Sequence, residues 1–528
     1  MENAAAATTR AVTELTSGDM SGRSVLVLCG RGNNGGDGAA TARLLTQNRA
    51  HVDVVLVGKL ADTKGDARVN FEKVRDLSRD ASIRFFECTS KEDWAALLNS
   101  ELSEPYEVIV DALFGTGLTR PVEGVHKEVV RHLNRLYQDR NPDETPSAPV
   151  ISIDIPSGLN SDSAQLIGET VKAKVTITMT APKLANVLPP ASNYNGELIV
   201  ADIGSPVELI QEAKSQLFVT EAVDAHRWLF QTRYTADSYK NLHGHALVIA
   251  GSRGLTGAAA LCGNAAMRAG AGLVTVATPV STQPAVAAQV MPEVMTTALA
   301  ETDRGAVGDE AINYALKFSE RANVIAIGPG LSSEDERTRA FVRAVVEQRR
   351  TPVVIDADGL NCLAPWPSEL RGTPEHPLVL TPHAGEMLRI MGTDNKAALE
   401  DRVATVREFA NAHKVILVLK GARALIAAPD GRVFVNPTGN AGLGTAGAGD
   451  TLTGVIAGFL AQAYGTLKHK ADALETVVAA VYISSLAGDL AARELGMRAM
   501  TASDIRERLS QAICLLDPFG EKPPSLHD

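Results

Sequence analysis

Short runs of β-branched and other apolar residues alternate with longer stretches of helical period along most of the chain. This alternation is typical of parallel β-sheets whose faces are covered by helices. In the first half, the predicted strands span residues 24–29, 51–57, 83–87, 107–113, 150–155, 175–179 and 197–201. In the second half, they span residues 246–250, 273–277, 324–327, 352–355, 378–380 and 416–419. Each half therefore contains enough strands to form a sheet of its own.

The segment between the two sets of strands marks the predicted domain boundary. Residues 205–239 are more polar than their surroundings, and only residues 217–220 have the pattern of a strand. Because domains meet in polar segments that few contacts cross, we predict two domains, residues 1–214 and residues 215–528. The predicted fold class is α/β, with a Rossmann-like doubly wound sheet followed by a second domain of helices on both faces of a sheet.

Composition narrows the class of protein further. The 528 residues are 45% hydrophobic and 21% charged, which is typical of a globular protein with large cores. A net charge of -11, without clusters of Lys and Arg, argues against nucleic-acid binding and favours a small-molecule substrate. The five cysteines are scattered and show no C-x-x-C spacing, as in a reducing compartment. The first residues lack the basic region of a signal peptide, and no apolar run is expected to span a membrane, so we expect a cytoplasmic protein.

A glycine-rich turn follows the first predicted strand. Residues 30–38, Gly-Arg-Gly-Asn-Asn-Gly-Gly-Asp-Gly, formally match the dinucleotide fingerprint G-x-G-x-x-G. Asp37 would repel a pyrophosphate, however, and the second strand ends without an acidic residue for a ribose. The carboxamides of Asn33 and Asn34 instead suit a polar uncharged group or a cation held by oxygen ligands. A turn needed only for chain reversal is the alternative.

Two further strand ends in the first half carry acidic residues. Asp111 precedes the loop 115–121, and Asp154 precedes Pro-Ser-Gly at 156–158. A carboxylate at the end of an apolar strand is costly to bury unless it meets a cation, a donor or a substrate. Each aspartate alone could cap a turn or helix. Together with Asn34, they predict one site, because ligands collect at the carboxyl ends of parallel strands.

These three segments resemble the NAD(P)H-hydrate epimerase family. The resemblance implies a potassium ion bound by Asn34, Asp111 and Ser157, and acid–base work by Asp154 at the hydrated ring carbon. The substrate-binding residues that it implies are Asn33, Asn34, Gly35, Gly36, Asp37, Gly115, Thr116, Gly117, Leu118, Thr119, Arg120, Pro121 and Asp154. Members of that family usually carry some tens of residues, including a helix, before the segment that the first four residues resemble. A first half that only binds a ligand or partner therefore stays open as an alternative.

The second half contains a glycine-rich segment, residues 440–449, just before a predicted helix at 451–463. Glycines at a helix start let backbone N–H groups converge on an anion such as phosphate. Asp450 in this position suits a base that accepts a proton from an attacking hydroxyl, and a simple helix cap is the alternative. The predicted helices 258–268 and 451–463 are rich in small residues, which predicts close approach to a sheet or a ligand.

Other strand ends of the second half add polar residues to the same predicted site. Lys420 ends an apolar strand, where it suits nucleotide phosphates or is merely solvated. His383 follows another strand, as a ligand contact or as a structural histidine. Asp356 and Asp358 either hold magnesium or cap the helix that follows.

This half resembles the ribokinase-like superfamily and, more narrowly, the ADP- or ATP-dependent NAD(P)H-hydrate dehydratases. The segments that carry the resemblance are 250–252, 270–274, 328–331, 356–358, 381–386 and 447–450. By that resemblance, Asp450 is catalytic, and the hydrated cofactor meets Ala258, Gly330, His383 and Asp450. The residues implied for the adenine nucleotide are Lys420, Gly421, Ala422, Arg423, Ala424, Gly447 and Gly449.

An epimerase ahead of a dehydratase resembles the bifunctional enzymes that repair hydrated NADH and NADPH. The resemblance implies that the first domain interconverts the R and S hydrates and that the second dehydrates the S hydrate with ADP or ATP and magnesium. ADP is favoured by analogy with bacterial two-domain relatives. We expect no nucleic-acid or membrane partner, and a homo-oligomer is open. The alternative is a vitamin-precursor kinase with a non-catalytic N-terminal binding module.

Overall fold

The computed structural model describes residues 1–79, 82–102, 105–138 and 148–517, except the side chains of residues 137 and 138. The chain divides into two compact units, Met1–Lys214 and Ser215–Asp528. Each unit is built around its own β-sheet. The expected fold class, two α/β domains with parallel-sheet cores, is confirmed.

The sheet of the first unit has seven strands among the described residues, and all neighbouring strands are parallel. The strands are β1 Ser24–Cys29, β2 His51–Val57, β3 Ile83–Cys88, β4 Val108–Ala112, β5 Val150–Ile153, β6 Val175–Met179 and β7 Glu197–Ala201. Their order is β3-β2-β1-β4-β5-β6-β7. The order reverses between β1 and β4, and open α/β sheets bind ligands in the crevice at such a reversal.

Helices cover both faces of this sheet. They are α1 Glu2–Leu15, α2 Asn33–Gln47, α3 Gly65–Leu77, α4 Lys91–Ser100, α5 Gly124–Gln138, α6 Leu184–Val187 and α7 Val207–Glu212, with 3-10 turns at Leu60–Asp62 and Ala191–Tyr194. The first three helices pack on one face through residues such as Val12, Leu45 and Phe71. Helices α4 and α5 pack on the other through Trp94 and Leu133. Because strands buried on both faces read as continuous apolar runs, these strands were readily predicted.

Two strands of the first unit are shorter than the sequence predicts, β4 by one residue at each end and β5 at its carboxyl end. Strand β5 was expected to reach residue 155 but ends at Ile153. Asp154 has φ 71°, which lies outside the extended region and ends the strand. The backbone of Asp154 is thereby turned at the carboxyl end of the sheet, next to β4.

The sheet of the second unit has ten strands among the described residues, in the order β11-β10-β9-β12-β13-β14-β15-β16-β17-β8. The strands are β8 Leu217–Val219, β9 His245–Ile249, β10 Leu273–Pro279, β11 Met295–Leu299, β12 Val324–Ile327, β13 Val353–Ile355, β14 Leu378–Leu380, β15 Ile416–Leu419, β16 Leu425–Ala427 and β17 Val433–Val435. Only β16 runs antiparallel to its neighbours. Strands β11, β16 and β17 were not predicted.

The second unit is also helical on both sides of its sheet. Its helices are α8 Ala222–Gln231, α9 Thr256–Arg268, α10 Gln283–Ala287, α11 Ile312–Ser319, α12 Glu336–Glu347, α13 Asp358–Cys362, α14 Ala384–Ile390, α15 Arg402–His413, α16 Ala448–Thr466, α17 Ala473–Leu495, α18 Ala502–Glu507 and α19 Leu509–Leu516. Four 3-10 turns lie at Asp309–Ala311, Lys396–Leu399, Ala441–Gly444 and Lys468–Lys470.

The two helices rich in small residues, α9 and α16, pack against each other. A Cβ atom at Gly454 would lie 2.2 Å from the carbonyl oxygen of Cys262, and one at Gly458 would lie 2.6 Å from that of Ala266. Both distances are too short for any side chain, so the close approach of the two helices requires glycine. This packing fixes the position of the first turn of α16, which carries Asp450.

Helix α17 corrects one expectation from the sequence. It is long and apolar enough to cross a membrane by length and composition, although no such segment was expected. In the structure, 72% of its most apolar window is buried, in the core of the second unit. That burial is the pattern of a core helix in a globular domain.

Candidate active sites

The first candidate site is centred on Asp111, which is fully buried near the end of β4. The hydroxyl of Ser152 donates to its Oδ2 at 2.8 Å, and the backbone N–H of Ser157 donates to the same oxygen at 2.9 Å. The hydroxyl of Ser157 donates to Oδ1 at 2.6 Å, and the N–H of Leu113 lies 3.3 Å from that oxygen. Burial raises the pKa of Asp111, and these donors oppose that shift.

Asn34 and Asp154 meet at Gly115. A Cβ atom at Gly115 would lie 3.2 Å from Oδ2 of Asp154 and 3.4 Å from the side chain of Asn34. Both side chains therefore reach the start of the loop 115–121, which follows β4. Asn34 and Asp154 therefore lie close together, as expected for strand ends that contribute to one site. The roles of these residues remain predictions.

Lys183 is a partner of Asp154 that the sequence did not reveal. Its Nζ lies 2.6 Å from Oδ1 of Asp154, as an ion pair without the angles of a hydrogen bond. The same ammonium donates to Oγ1 of Thr178 and to the carbonyl oxygen of Met179, both at 2.9 Å. Lys183 follows β6, the neighbour of β5, so its place at the end of a third adjacent strand was the available signal.

Asp37 lies in the first turns of α2, close enough to Asp154 for the charge of Asp154 to act on it. The pKa of Asp37 is raised to about 6, mainly by burial and to a smaller extent by the charge of Asp154, while the amino group of Met1 opposes the shift. Gly35 is required here, because its Cβ would lie 1.8 Å from the carbonyl oxygen of Gly30. Gly36 is buried beside it, and Asn33 is exposed at the start of the helix.

Most of the loop 115–121 faces solvent. Thr116, Gly117, Thr119, Arg120 and Pro121 are exposed, and Leu118 packs against the apolar core on the α5 side of the sheet. The carbonyl oxygen of Thr116 accepts a hydrogen bond from Ser161 at 3.2 Å. Of the two glycines in this loop, Gly115 approaches Asn34 and Asp154, whereas a Cβ atom at Gly117 would meet no atom within 4 Å.

The residues predicted to bind potassium carry oxygen atoms of the kind that alkali-metal cations take as ligands. The buried carboxylate of Asp111 has no cationic side chain within ion-pair distance in the described part of the chain. The buried Nδ2 atom of Asn34 has no hydrogen-bond partner there. The groups at hand are amide, carboxylate and hydroxyl oxygens, from Asn34, Asp111 and Ser157, which suit a hard cation.

The second candidate site is the start of α16. Gly447 is the N-cap, with φ 82°, and no side chain caps the helix. The backbone N–H groups of Gly449 and Asp450 have no acceptor among the described residues. Asp450 is therefore not the helix cap, which was the alternative. The uncapped start of a 19-residue helix favours an anion through free N–H groups and the helix dipole.

A buried ion pair lies beside this helix start. Nζ of Lys420 donates to Oδ1 of Asp356 at 2.6 Å, and Oγ1 of Thr453 donates to Oδ2 at 2.7 Å. A Cβ at Gly449 would lie 3.3 Å from Nζ of Lys420, so glycine at this position leaves room for the lysine close to the start of α16. Burial works against the charged forms, but the pair's mutual attraction raises the pKa of Lys420 and lowers that of Asp356.

Asp450 is surrounded by more negative than positive charge. Its pKa is raised to about 6, mainly by burial and also by the charges of Asp356, Asp358 and Glu386, against the opposing charge of Lys420. A carboxylate with a pKa near 6 is mostly ionised at neutral pH and more basic than an ordinary aspartate. Asp450 thus has the protonation behaviour of a general base.

Two predicted substrate residues form a narrow contact. Gly330 has φ 62°, and its Cβ would lie 2.9 Å from the Cβ of Ala258. The hydroxyl of Ser252 donates to the carbonyl oxygen of Gly330 at 2.8 Å. The close approach requires glycine at position 330 and leaves Ala258, near the start of α9, facing the loop after β12.

His383 has a structural role in addition to any contact with a ligand. Its Nδ1 accepts N–H groups of Gly385 and Glu386 at 3.0 and 3.2 Å, so it caps α14. Its side chain is 53% exposed. Glu386 links it to the ion pair, because Oε2 accepts the N–H of His383 at 2.8 Å and lies 3.6 Å from Nζ of Lys420.

The remaining residues predicted for the nucleotide follow Lys420. Gly421 has φ 149° and Arg423 has φ 56°, and Ala424 packs against the core. Arg402 donates to the carbonyl oxygens of Ala422 and Arg423 at 3.1 and 3.3 Å. No hydrogen bond or ion pair joins Ala422, Arg423 or Ala424 to Asp450 in the part of the chain that the structure describes.

Asp356 and Asp358 do not present free carboxylates. Asp356 bonds Lys420 and Thr453, whereas Asp358 accepts the N–H of Ser332 at 2.9 Å and Nδ2 of Asn361 at 3.2 Å. No group of three or more His, Cys, Asp or Glu side chains with the spacing of a metal site is found among the described residues. A magnesium ion at Asp356 or Asp358 stays a prediction.

The chain is a two-domain α/β protein with one candidate site at the carboxyl ends of the strands in each domain. Two family models match the chain: that of the YjeF-related protein N-terminus over residues 1–185 and that of NAD(P)H-hydrate dehydratase over residues 246–511. The chain belongs to the family of bifunctional NAD(P)H-hydrate repair enzymes, which join an epimerase domain to an ADP- or ATP-dependent dehydratase domain.

Relatives match the chain along nearly its whole length. The bifunctional NAD(P)H-hydrate repair enzyme of Moorella thermoacetica is 38% identical over 510 residues, covering 96% of this chain and 91% of that one. The Escherichia coli enzyme is 31% identical, with 92% and 84% covered. A crystal structure of ADP/ATP-dependent NAD(P)H-hydrate dehydratase from Bacillus subtilis, co-crystallised with ATP and Mg²⁺, is 31% identical with a TM-score of 0.46, covering 54% of this chain and 94% of that one. The predicted repair function is confirmed, and the alternative of a vitamin-precursor kinase is not favoured.

Proposed function

We propose that the second domain dehydrates the S hydrate of NADH or NADPH, with Asp450 as general base and ADP or ATP as phosphoryl donor. The observation that carries the proposal is the uncapped start of α16, where free N–H groups, Lys420 and a basic carboxylate converge. An anion-binding helix start beside a base is the arrangement that phosphoryl transfer to a hydroxyl requires.

The proposed reaction has two stages. Asp450 removes the proton of the ring hydroxyl, and the resulting oxygen attacks the terminal phosphorus of ADP or ATP. The bond between that phosphorus and the oxygen of the leaving nucleotide breaks at the same time. The C–O bond to the new phosphate then breaks, and a proton leaves the neighbouring ring carbon, which restores the double bond. The products are NAD(P)H, inorganic phosphate and AMP or ADP, so cleavage of the nucleotide drives the loss of water.

Individual residues have distinct parts in this proposal. The N–H groups of Gly449 and Asp450 bind the transferring phosphoryl group, and Lys420 neutralises phosphate charge. Gly421 to Ala424 and Gly447 line the nucleotide site, while Ala258, Gly330 and His383 contact the hydrated ring. Magnesium is expected to arrive with the nucleotide phosphates, because Asp356 and Asp358 are already bonded to protein donors.

In the first domain, we propose that Asp154 moves the proton in epimerisation of the hydrated carbon. Its Oδ2 faces Gly115, and its Oδ1 is held by Lys183, so one oxygen is fixed and the other is available. Residues Asn33 to Asp37 and Gly115 to Pro121 would surround the substrate. A potassium ion held by Asn34, Asp111 and Ser157 would supply positive charge that binds the substrate's anionic groups.

A cytoplasmic location is supported by the five free cysteines, of which four are buried. The expectations of no nucleic-acid or membrane partner and of a possible homo-oligomer remain predictions. They do not affect the chemistry of either site.

The test is incubation of the whole chain with separated S and R hydrates, ADP or ATP, and magnesium. Return of the absorbance of the reduced cofactor, with one phosphate released per turnover, is the expected result. A stable phosphorylated product without recovered NADH would instead support a kinase. Omitting potassium is expected to slow use of the R hydrate but not of the S hydrate.

A further inference from the structure

A cavity in the second domain lies outside the residues assigned above. Its volume is about 480 Å³, and it is lined by Ser333, Arg339, Asn361, Ala364, Pro365 and Arg389. Helices α12, α13 and α14, the loop before α12 and the loop after α13 contribute these residues. Arg339 and Arg389 are the charged residues among them.

Both guanidinium groups converge on Asn361. Nη1 of Arg389 donates to the amide oxygen of Asn361, and Nη1 of Arg339 donates to its backbone oxygen at 3.3 Å. Nε of Arg339 also donates to the carbonyl oxygen of Ser333 at 2.9 Å. Each guanidinium has five donors, so both retain N–H groups that are not used in these contacts.

The positive charge of the cavity is only weakly compensated. Arg389 has no carboxylate within ion-pair distance among the described residues. Arg339 has Glu336 at 3.6 Å, but that glutamate is 91% exposed, so water screens the pair. The planar fork of arginine matches phosphate oxygens and is the side chain best suited to bind them in a bidentate manner.

The cavity adjoins residues predicted to bind the hydrated cofactor. Asn361 donates to Asp358 at 3.2 Å, and Asp358 accepts the N–H of Ser332, two residues after Gly330. Helix α14, which carries Arg389, begins just after His383. Six residues of helix place Arg389 roughly 9 Å along the axis from His383.

We propose that Arg339 and Arg389, held together by Asn361, form a subsite for the phosphate groups of the hydrated dinucleotide. The inference rests on the proposed dehydratase function and adds a binding site for the part of the substrate that does not react. Arg389 lies in the last turn of α14, where a cation also favours the helix dipole. Its guanidinium nevertheless donates to Asn361 of helix α13, and both residues line the cavity.

Two phosphate sources are possible in a dinucleotide, and the experiment separates them. The 2′-phosphate is present in the NADPH hydrate alone, whereas the pyrophosphate is common to both hydrates. Arg389→Gln and Arg339→Gln are made separately in the full chain. Arg343→Gln is the matched control, because Arg343 lies one turn further along α12 and pairs with Glu347 at 4.0 Å.

The measurements are kcat and KM for the S hydrates of NADH and NADPH and the KM for ADP and ATP. Calorimetric binding of NADPH and of NADH provides a readout that needs no turnover. We expect each variant to raise the KM, and to weaken binding, about tenfold or more, with little change in kcat. Arg389→Lys is expected to recover part of the loss, and Arg343→Gln to match the wild type.

Loss confined to NADPH assigns the subsite to the 2′-phosphate, and equal loss for both cofactors assigns it to the pyrophosphate. The proposal is overturned if neither cofactor binds more weakly, or if only the KM for ADP or ATP rises. If one variant does not fold, as judged by thermal unfolding, the other decides. Absence of turnover by the wild type would instead contradict the dehydratase function, so the two failures are distinct.

Discussion

At the residue scale, Asp450 carries a carboxylate at the place where an uncapped helix start and a buried lysine attract phosphate. A negative side chain there opposes phosphate binding unless it takes part in the reaction. Its raised pKa arises mainly from burial and from Asp356, so a buried neighbour that holds Lys420 also makes Asp450 more basic. In the proposed reaction, Asp356 thus holds the lysine that binds phosphate and also raises the pKa of the base.

Replacing the base is expected to remove dehydration without removing epimerisation. Asp450→Asn keeps the size of the side chain but cannot accept the proton, so we expect kcat for the S hydrate to fall about 10²- to 10⁴-fold. The rate of interconversion of R and S hydrates by the same variant is the internal control. Dehydration at the wild-type rate would contradict the assignment of Asp450.

The pH dependence of dehydration should report the same carboxyl group. Asp450 must be ionised to accept a proton, and its pKa is raised to about 6. We therefore expect kcat/KM to be constant above about pH 7 and to fall tenfold per pH unit well below pH 6. An acid limb centred near pH 4, the range of an ordinary aspartate, would show that another group limits the rate.

Lys183 is expected to position Asp154 in the first domain. Lys183→Met removes the cation 2.6 Å from Oδ1 and leaves the carboxylate free to reorient, so we expect epimerisation to slow about tenfold or more. Lys174→Met is the matched control, because this lysine is exposed just before β6. The rate of dehydration of pure S hydrate should be unchanged in both variants. Equal epimerisation rates in Lys183→Met and Lys174→Met would contradict the positioning role of Lys183.

The sequence alone brings some of these residues together and not others. Asn34, Asp111 and Asp154 were predicted to share a site because they follow neighbouring parallel strands, and that rule holds whatever the side-chain conformations. Lys183 and Thr453 were missed. Thr453 meets Asp356 across 97 positions of sequence, and only the packing of α16 on the sheet creates that contact.

At the scale of elements, most parallel strands were predictable, including the three-residue strands β8, β13 and β14. Strands β16 and β17 were missed because they form an antiparallel pair, which departs from the alternation of strand and helix that predicted the others. Strand β11 is a half-exposed edge strand whose central residues are two threonines and an alanine, so it lacks the apolar run of a buried strand. Asp154, with its positive φ, shortened β5 for a local reason that residue type does not reveal.

The packing of α9 on α16 gives a prediction for this scale. In Gly454→Ala, the new Cβ would overlap the carbonyl oxygen of Cys262, so we expect the free energy of unfolding to fall by about 1–3 kcal/mol. Gly257→Ala on α9 is the control, because its Cβ would meet no atom within 4 Å. Denaturant unfolding measures both, and equal stabilities would contradict the close helix contact.

At the scale of the whole molecule, one chain carries two sites that act on the two forms of one damaged cofactor. Each unit has its own sheet and core, so either activity can be removed without loss of the other. A dehydratase that accepts only the S hydrate would consume the R hydrate no faster than the two hydrates interconvert in solution. An epimerase domain in the same chain is expected to remove that limit.

The most direct test of this division of labour uses pure R and pure S hydrates with the wild type and with Asp154→Asn. We expect both proteins to convert the S hydrate at the same rate with ADP or ATP. Only the wild type should convert the R hydrate faster than the hydrates interconvert in buffer. Equal use of the R hydrate by Asp154→Asn, or no use of the S hydrate by the wild type, would contradict the account.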